Sequence, residues 1–294
     1  MSESRIIGEW DGRSFSGRIN RTADSAASGG RPPLVVAIHG GSYSSAYFDV
    51  PGYSLLERGD SLGIPVIALD RPSYGQSTPL GPNDSTIHRN AEILVQAVGK
   101  IWELRKDSIS GIFLIGHSIG GATVVTMAAS KPTWPLLGIA VSGVGLSTAP
   151  GDDARWAGLP EGLVTLPTQI KDVVMFGPEG TFESDMPAAS HVANTTCPRA
   201  ELIDITTTWP RVVRAVTAKV DVPVHYRQAE FDRLWVVNNE QVDGFAAAFT
   251  NAPPVDSRLF LKAGHCIDFH SVAGQFHDEQ LKFALRCSSK ADQP

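Results

Sequence analysis

Ile112-Phe-Leu-Ile-Gly-His-Ser-Ile-Gly-Gly-Ala-Thr-Val-Val-Thr-Met-Ala-Ala129 is the stretch whose reading decides the fold. Its first four residues, Ile112–Ile115, are apolar without alternation. Such a run suits a strand buried on both faces, as in a parallel sheet. Residues 119–130 are small and apolar and read as a helix that starts directly after the strand. Between the two lies Gly116-His117-Ser118-Ile119-Gly120, which fits the G-x-S-x-G pattern of a sharp strand-to-helix turn. A serine on that turn projects its hydroxyl above the sheet edge, and side chains at positions 116 and 120 would collide across it. Gly121 then lets the helix pack close to the strand. The competing reading is an ordinary glycine-rich turn, and the strand before it and the helix after it argue against that.

Outward from this stretch, continuous apolar runs recur at Leu34-Val-Val-Ala-Ile-His-Gly40, Ile64-Pro-Val-Ile-Ala-Leu-Asp70, Leu137-Gly-Ile-Ala-Val-Ser-Gly143, Val222-Pro-Val-His-Tyr-Arg227 and Ser257-Arg-Leu-Phe-Leu-Lys262. Helical patterns lie between them. Asp84-Ser-Thr supplies cap candidates for a helix whose apolar positions Ile87, Ala91, Leu94, Val98 and Ile101 recur every three or four residues. Residues 238–249 and 272–287 read as two more helices. Alternating strands and helices predict an α/β fold with a mostly parallel, doubly wound sheet. Two short strands precede it, near Ile6–Trp10 and Ser14–Asn20, followed by a loop from Thr22 to Pro33. Residues 146–219 break the alternation and are rich in proline. A structureless loop that long is improbable in a compact domain. The segment is therefore read as a helical cap, or lid, inserted between core segments 1–145 and 220–294.

Composition narrows the function classes. The 294 residues are 42% apolar and 19% charged, which excludes a disordered chain. The net charge of -6 offers no basic field, so neither nucleic acid nor an anionic membrane is an expected partner. No apolar run reaches the ~18 residues of a membrane helix, and no basic-then-apolar leader opens the chain. The three cysteines, Cys197, Cys266 and Cys287, form no disulfide framework and no paired metal spacing. A cytoplasmic protein is expected.

Serine is a poor nucleophile unless a base stands beside it. Of the later histidines, His265 in Lys262-Ala-Gly-His265 follows the last predicted strand and reaches the same sheet edge as Ser118. His270 is its rival. His225 falls within a strand and reads as core, and His277 lies on the last helix and reads as surface. The acid that orients the imidazole is sought after the preceding strand, where Asp232 is preferred and Glu230 is the alternative. The turn His39-Gly-Gly-Ser42 closes another strand at this edge. Its Gly41 N–H, with that of Ile119 just after the serine, can face a developing oxyanion. His39 itself reads as structural.

Four motifs in this order, His39-Gly-Gly-Ser42, Asp70-Arg-Pro-Ser-Tyr-Gly-Gln-Ser77, Gly116-His-Ser-Ile-Gly-Gly121 and Ala263-Gly-His265, make the chain resemble the α/β-hydrolase superfamily over roughly residues 30–290. Ser73 stands where the family's second motif has its first glycine, and Ala229 stands at the glycine of its G-x-x-D acid loop. The resemblance implies an eight-stranded sheet, a cap after the sixth strand, and no cofactor. One fold hosts many chemistries, but serine at the elbow argues against the dehalogenases and epoxide hydrolases, which use aspartate there. Acyl transfer on a small-molecule substrate remains, with ester hydrolysis the default. Thioester or amide hydrolysis, a lyase reaction, and a non-hydrolytic binder or cyclase are the alternatives. The lid's inner face is expected to set an apolar pocket, with Trp209 and Trp235 among the substrate-binding residues. Oligomeric state is not readable from the chain.

Overall fold

The computed structural model describes residues 2–25, 30–81 and 83–291. Eight strands form one sheet in the order β1-β2-β4-β3-β5-β6-β9-β10. They are β1 (Arg5–Trp10), β2 (Arg13–Ile19), β3 (Leu34–Ile38), β4 (Val66–Leu69), β5 (Ile112–His117), β6 (Leu136–Ser142), β9 (Val224–Ala229) and β10 (Asp256–Phe260). From β4 to β10 every pairing is parallel, and β2 runs antiparallel to both β1 and β4. This is the α/β-hydrolase sheet. Strands β3, β4 and β5 are buried along their whole length, as their unbroken apolar runs require. No residue of the edge strand β1 is buried.

Helices cover both faces: α1 (Arg21–Asp24), α2 (Leu55–Ser61), α3 (Ile87–Arg105), α4 (Ile119–Ala129), α10 (Asn239–Ala247) and α11 (Ala273–Ala291). Thr86 is the residue of the Asp84-Ser-Thr cluster that caps α3, its side chain accepting from Arg89 N. The first part of the expected Thr22–Pro33 loop is a single helical turn, whose N-terminus the Asn20 side chain caps by accepting from Ala23 N. Residues 26–29 of that loop lie outside the described residues.

Between β6 and β9 the chain leaves the sheet. It forms α5 (Asp152–Ala157), α6 (Thr168–Met175), α7 (Met186–Ser190), α8 (Arg199–Thr207) and α9 (Trp209–Thr217). A two-residue antiparallel pair, β7 (Leu163–Val164) with β8 (Cys197–Pro198), staples the segment to itself. Not every apolar side chain here turns inward, since Leu163 and Val173 are each 60% exposed. No helix among the described residues is long and apolar enough to cross a membrane.

Candidate active site

Ser118 occupies the junction of β5 and α4 with φ 55 and ψ -125, a conformation that costs a side-chain-bearing residue energy. The surroundings enforce it. Ser118 N donates to Ser142 O at 2.8 Å. A Cβ at Gly116 would lie 2.5 Å from Gly120 O, and one at Gly120 would lie 2.2 Å from Ile38 O. Only glycine fits at either position, so the turn stays tight and the serine is partly exposed at its tip.

His265 sits in the loop after β10 and Asp232 in the loop after β9, as parallel neighbours at one sheet edge should. His265 Nδ1 and Asp232 Oδ2 are 2.8 Å apart, both buried. With the proton on Nδ1, the ring donates to the carboxylate and leaves Nε2 as the basic atom. Asp232 is fixed in turn. Gln228 Nε2 donates to its Oδ2 at 2.8 Å, Leu234 N donates to its Oδ1 at 2.9 Å, and Tyr226 hydroxyl donates to Gln228 Oε1 at 3.1 Å. The His265 ring lies 4.8 Å from the ring of His117, the residue just before Ser118. No hydrogen bond joins Ser118 Oγ to His265 in this state, and such contacts commonly tighten only when substrate binds. Glu230 takes another part: its Oε2 accepts from Lys262 N at 2.9 Å and braces the loop.

The rival histidine is a clamp. His270 Nε2 accepts from both Gly264 N at 2.9 Å and Gly177 N at 3.0 Å, while Nδ1 faces Cys266 O at 2.8 Å. It therefore ties the loop carrying His265 to the inserted segment, and it must be neutral to do so. Burial pushes its pKa down to about 4. His117 is stacked on Tyr47, and burial, then the neighbouring His265, lowers its pKa to about 3. His277 is not on the surface as expected. It is 2% exposed, with Nε2 2.9 Å from Asp268 Oδ1.

The glycine turn after β3 faces Ser118. A Cβ on Gly40 would touch Ser118 Cβ at 3.0 Å, and one on Gly41 would lie 2.8 Å from Ile119 Cδ1. Ile119 opens α4, whose first-turn N–H groups have no acceptor within the helix. The turn is held by Arg71 of the second motif. Arg71 Nε donates to His39 O at 2.9 Å, one of its terminal nitrogens donates to Gly40 O at 3.1 Å, and its backbone N donates to His39 Nε2 at 3.1 Å. His39 is neutral in this role, its pKa lowered to about 3 by burial and by Arg71. The guanidinium also forms a fully buried ion pair with Glu201 of α8 at 2.8 Å. Tyr74 and Ser85 hydroxyls donate to the same carboxylate. Ser73, at the family's glycine position, adopts φ 73, and its Oγ accepts from Leu80 N at 2.9 Å.

A cavity of about 50 Å³ opens on Ser118. At ~10–15 Å³ per site it has room for a handful of waters. Gly41, Ser42, Ile119, Leu234 and Trp235 line it, with Thr148 at the start of the inserted segment. Trp156, Leu166, Met175, Leu202, Ile205 and Thr206 of the inserted segment form the rest. None of these side chains is ionisable. Trp209, expected among them, is absent from this wall. It is 1% exposed, and its indole N–H donates to Gly145 O at 2.9 Å, so it anchors α9 to the end of β6. Trp156 stands in the wall instead. Among the described residues no cluster of three or more His, Cys, Asp or Glu has the arrangement of a metal site.

Curated relatives match only part of the chain. Protein phosphatase methylesterase 1 of Pongo abelii is 33% identical over 123 residues, 42% of this chain and 30% of that protein. The chain thus spans less than a third of that relative's length. Among solved structures, lip1 from Acinetobacter baumannii AYE superposes with a TM-score of 0.69 at 15% identity, covering 99% of this chain and 92% of that one. A thermophilic esterase from Thermogutta terrifontis superposes with a TM-score of 0.66 at 16% identity, covering 97% and 99%. At these identities the structures speak to the fold alone. The model of the alpha/beta hydrolase family matches residues 35–276, from β3 into α11. With that match over most of its length, the chain belongs to the α/β-hydrolase family.

Proposed function

We propose that the protein is a serine hydrolase that cleaves small to medium, neutral or hydrophobic carboxylic esters through an acyl-enzyme. The observation that carries the reading is the buried 2.8 Å contact of His265 Nδ1 with Asp232, at the edge where Ser118 is held at φ 55 beside an uncharged cavity. In the first half-reaction Ser118 Oγ attacks the ester carbonyl carbon and His265 Nε2 takes the hydroxyl proton. The tetrahedral oxyanion is met by the N–H groups of Ile119 and Gly41. As the carbon–oxygen bond to the alcohol breaks, His265 returns the proton to the leaving oxygen. Water, deprotonated by the same ring, then releases the acid and restores Ser118. Asp232 holds the ring's orientation and stabilises the imidazolium formed in each half. An uncharged, largely apolar wall favours neutral acyl and alcohol groups, because a charge there would lose its hydration without a partner. Three free, buried cysteines suit a reducing, cytoplasmic setting.

A fluorophosphonate probe tests the nucleophile. It should add one phosphonyl group to the folded protein at Ser118, located by peptide mass, and none to the Ser118→Ala variant. A panel of p-nitrophenyl esters of rising acyl length, with amide and thioester analogues, then ranks substrates. Neutral esters should lead. Folded protein that takes no label would overturn the reading in favour of a non-hydrolytic binder.

A further inference from the structure

Lys171 of α6 is a buried amine that the reaction above does not use. It is 4% exposed. Its Nζ donates to Ser42 O at 2.7 Å and to Asn194 Oδ1, and it lies 3.3 Å from the centroid of the Tyr43 ring. Among the described residues no carboxylate forms an ion pair with it. Asp172, its neighbour on α6, instead meets His191 Nε2 at 3.0 Å. The other titratable groups around Lys171 are Tyr43, Cys197, Cys266 and His39. Burial pushes both thiols up to about 12, raises Tyr43 well above its ordinary value and lowers His39 to about 3, so all four are neutral near pH 7. A buried ammonium without a countercharge is costly, and two oxygens and a ring face offset only part of the cost. The amine also sits at a junction. Ser42 belongs to the turn after β3, and the inserted segment pairs with that turn through Thr195 N to Ser42 O at 3.1 Å and Ser44 N to Ala193 O at 3.0 Å. Lys171 and Met175 are the buried residues of α6, four apart and so on one face, while Ile170 and Val173 are each 60% exposed. Met175 lines the cavity, and its carbonyl accepts from Cys266 N, next to His265, at 3.1 Å.

We infer that Lys171 is a proton-operated release for the inserted segment: with Nζ neutral, α6 and residues 193–195 stay closed on the turn after β3, and a proton taken from solvent by Nζ favours a state in which they lift and the amine meets water. The reason is linkage. In the lifted state the amine has its ordinary proton affinity, with a pKa near ~10.4. In the closed state burial lowers that value to about 7. The lifted state therefore binds more protons between the two values, and closure strengthens as pH rises from about 7 toward ~10.4. Below about 7 the amine is protonated in both states and this dependence vanishes. Lifting α6 takes Met175 off the cavity wall, so the release acts on access to Ser118. It is independent of the chemistry done there.

Hydrogen exchange of the full chain, read by mass spectrometry from about pH 6.5 to 9.5, tests this. Opening of peptides covering residues 168–176 and 191–195 should fall in the wild type by roughly tenfold per pH unit above about 7, taken as a ratio to Lys171→Met at the same pH so that intrinsic exchange cancels. Lys171→Met, of similar length and never charged, should keep the segment closed throughout. Lys171→Arg, charged throughout, should let it lift readily at every pH. A wild-type ratio that stays flat would overturn the proposal. So would a slope shared equally by amides of β3 and β5, since the event would then be global unfolding. An NMR titration of the Lys171 Cε resonance with a midpoint at or above ~10.4 would overturn it as well. That titration uses wild-type protein alone and decides the matter if neither variant folds. None of these readouts is turnover. Failure to hydrolyse esters would therefore leave the release standing, and flat exchange would leave the hydrolase reading standing.

Discussion

His265 with Asp232 and His277 with Asp268 are two buried histidine–carboxylate pairs of nearly equal length, 2.8 and 2.9 Å. Judged by the pair alone, either could be a base and its orienting acid. Their surroundings differ. The His265 ring packs against His117, beside the strained serine and its cavity. The Asp268 carboxylate is shared with Tyr47 hydroxyl at 2.7 Å, and its partner belongs to α11. Hydrogen bonds from His277 and Tyr47 hold the Asp268 pKa below its ordinary value against the opposing effect of burial. The second pair is thus a polar rivet between the last helix and the turn after β3. An imidazole–carboxylate contact orients a ring. What lies beyond the ring decides whether it does chemistry.

The largest effect that could break this comparison is on turnover. Ser118→Ala or His265→Ala should lower kcat by roughly 10⁴–10⁶-fold while the protein stays folded by circular dichroism. His277→Ala should not approach that loss per folded molecule. Equal losses from His265→Ala and His277→Ala would make the two pairs one machine.

Next come the carboxylates. Asp232→Asn should cost up to about 10⁴ in kcat, because the amide favours the wrong imidazole tautomer. Asp268→Asn should leave kcat within a few-fold and instead lower stability by about 1–3 kcal/mol, read from urea unfolding, as a buried polar group loses its partner. Glu230→Gln should be nearly silent, since that side chain only braces Lys262 N. If Glu230→Gln proves worse than Asp232→Asn, the acid has been misassigned.

A buried pair without a titrating ring sharpens the contrast. Glu201→Gln leaves the Arg71 guanidinium buried without its countercharge and should destabilise by about 3–5 kcal/mol. The same change should weaken the His39–Gly40 turn, so activity should fall before global unfolding on a denaturant ramp. Coincident loss of the two would mean that the His39–Gly40 turn does not depend on this pair.

The last effect is with pH. His39, His117 and His270 have pKa values lowered to about 3, 3 and 4, chiefly by burial. In the unfolded chain they titrate near ~6.5. Folding therefore favours their neutral forms. That stability is fully present above ~6.5 and is lost as pH falls from there toward their folded values. Tm should decline steadily between about pH 6.5 and 4, with unfolding linked to uptake of roughly one to three protons. His270→Gln should flatten that slope by about one proton. A Tm unchanged from pH 7 to 4 would contradict the assignment of these rings as neutral clamps.

Two parts of the molecule answer to different evidence. The sheet and its elbow follow from local rules, because a strand buried on both faces must be apolar throughout and the turn at Ser118 must be flanked by glycine. Those constraints act within a few residues, so the strand order of types, the serine and the glycine turn could be read directly. His265 and Asp232 were narrowed by position after a strand, which reflects the parallel sheet, but a choice of two remained at each. Contacts between distant segments give the two candidates at each place different surroundings. Gly177, 93 residues from His270, turns that ring into a clamp, and Lys262 N occupies Glu230. Gln228 and Lys171 carried no motif, since their work depends on what folds against them. The same holds for the insertion. Its apolar residues were plain in the sequence, but Trp209 faces the core and Trp156 the cavity because α5, α8 and α9 pack at angles that no periodicity within them specifies. The chain determined its own strands and sharpest turn through sterics at short range. Which buried polar groups bond to one another, and so which can react, was decided only by burial across the whole fold.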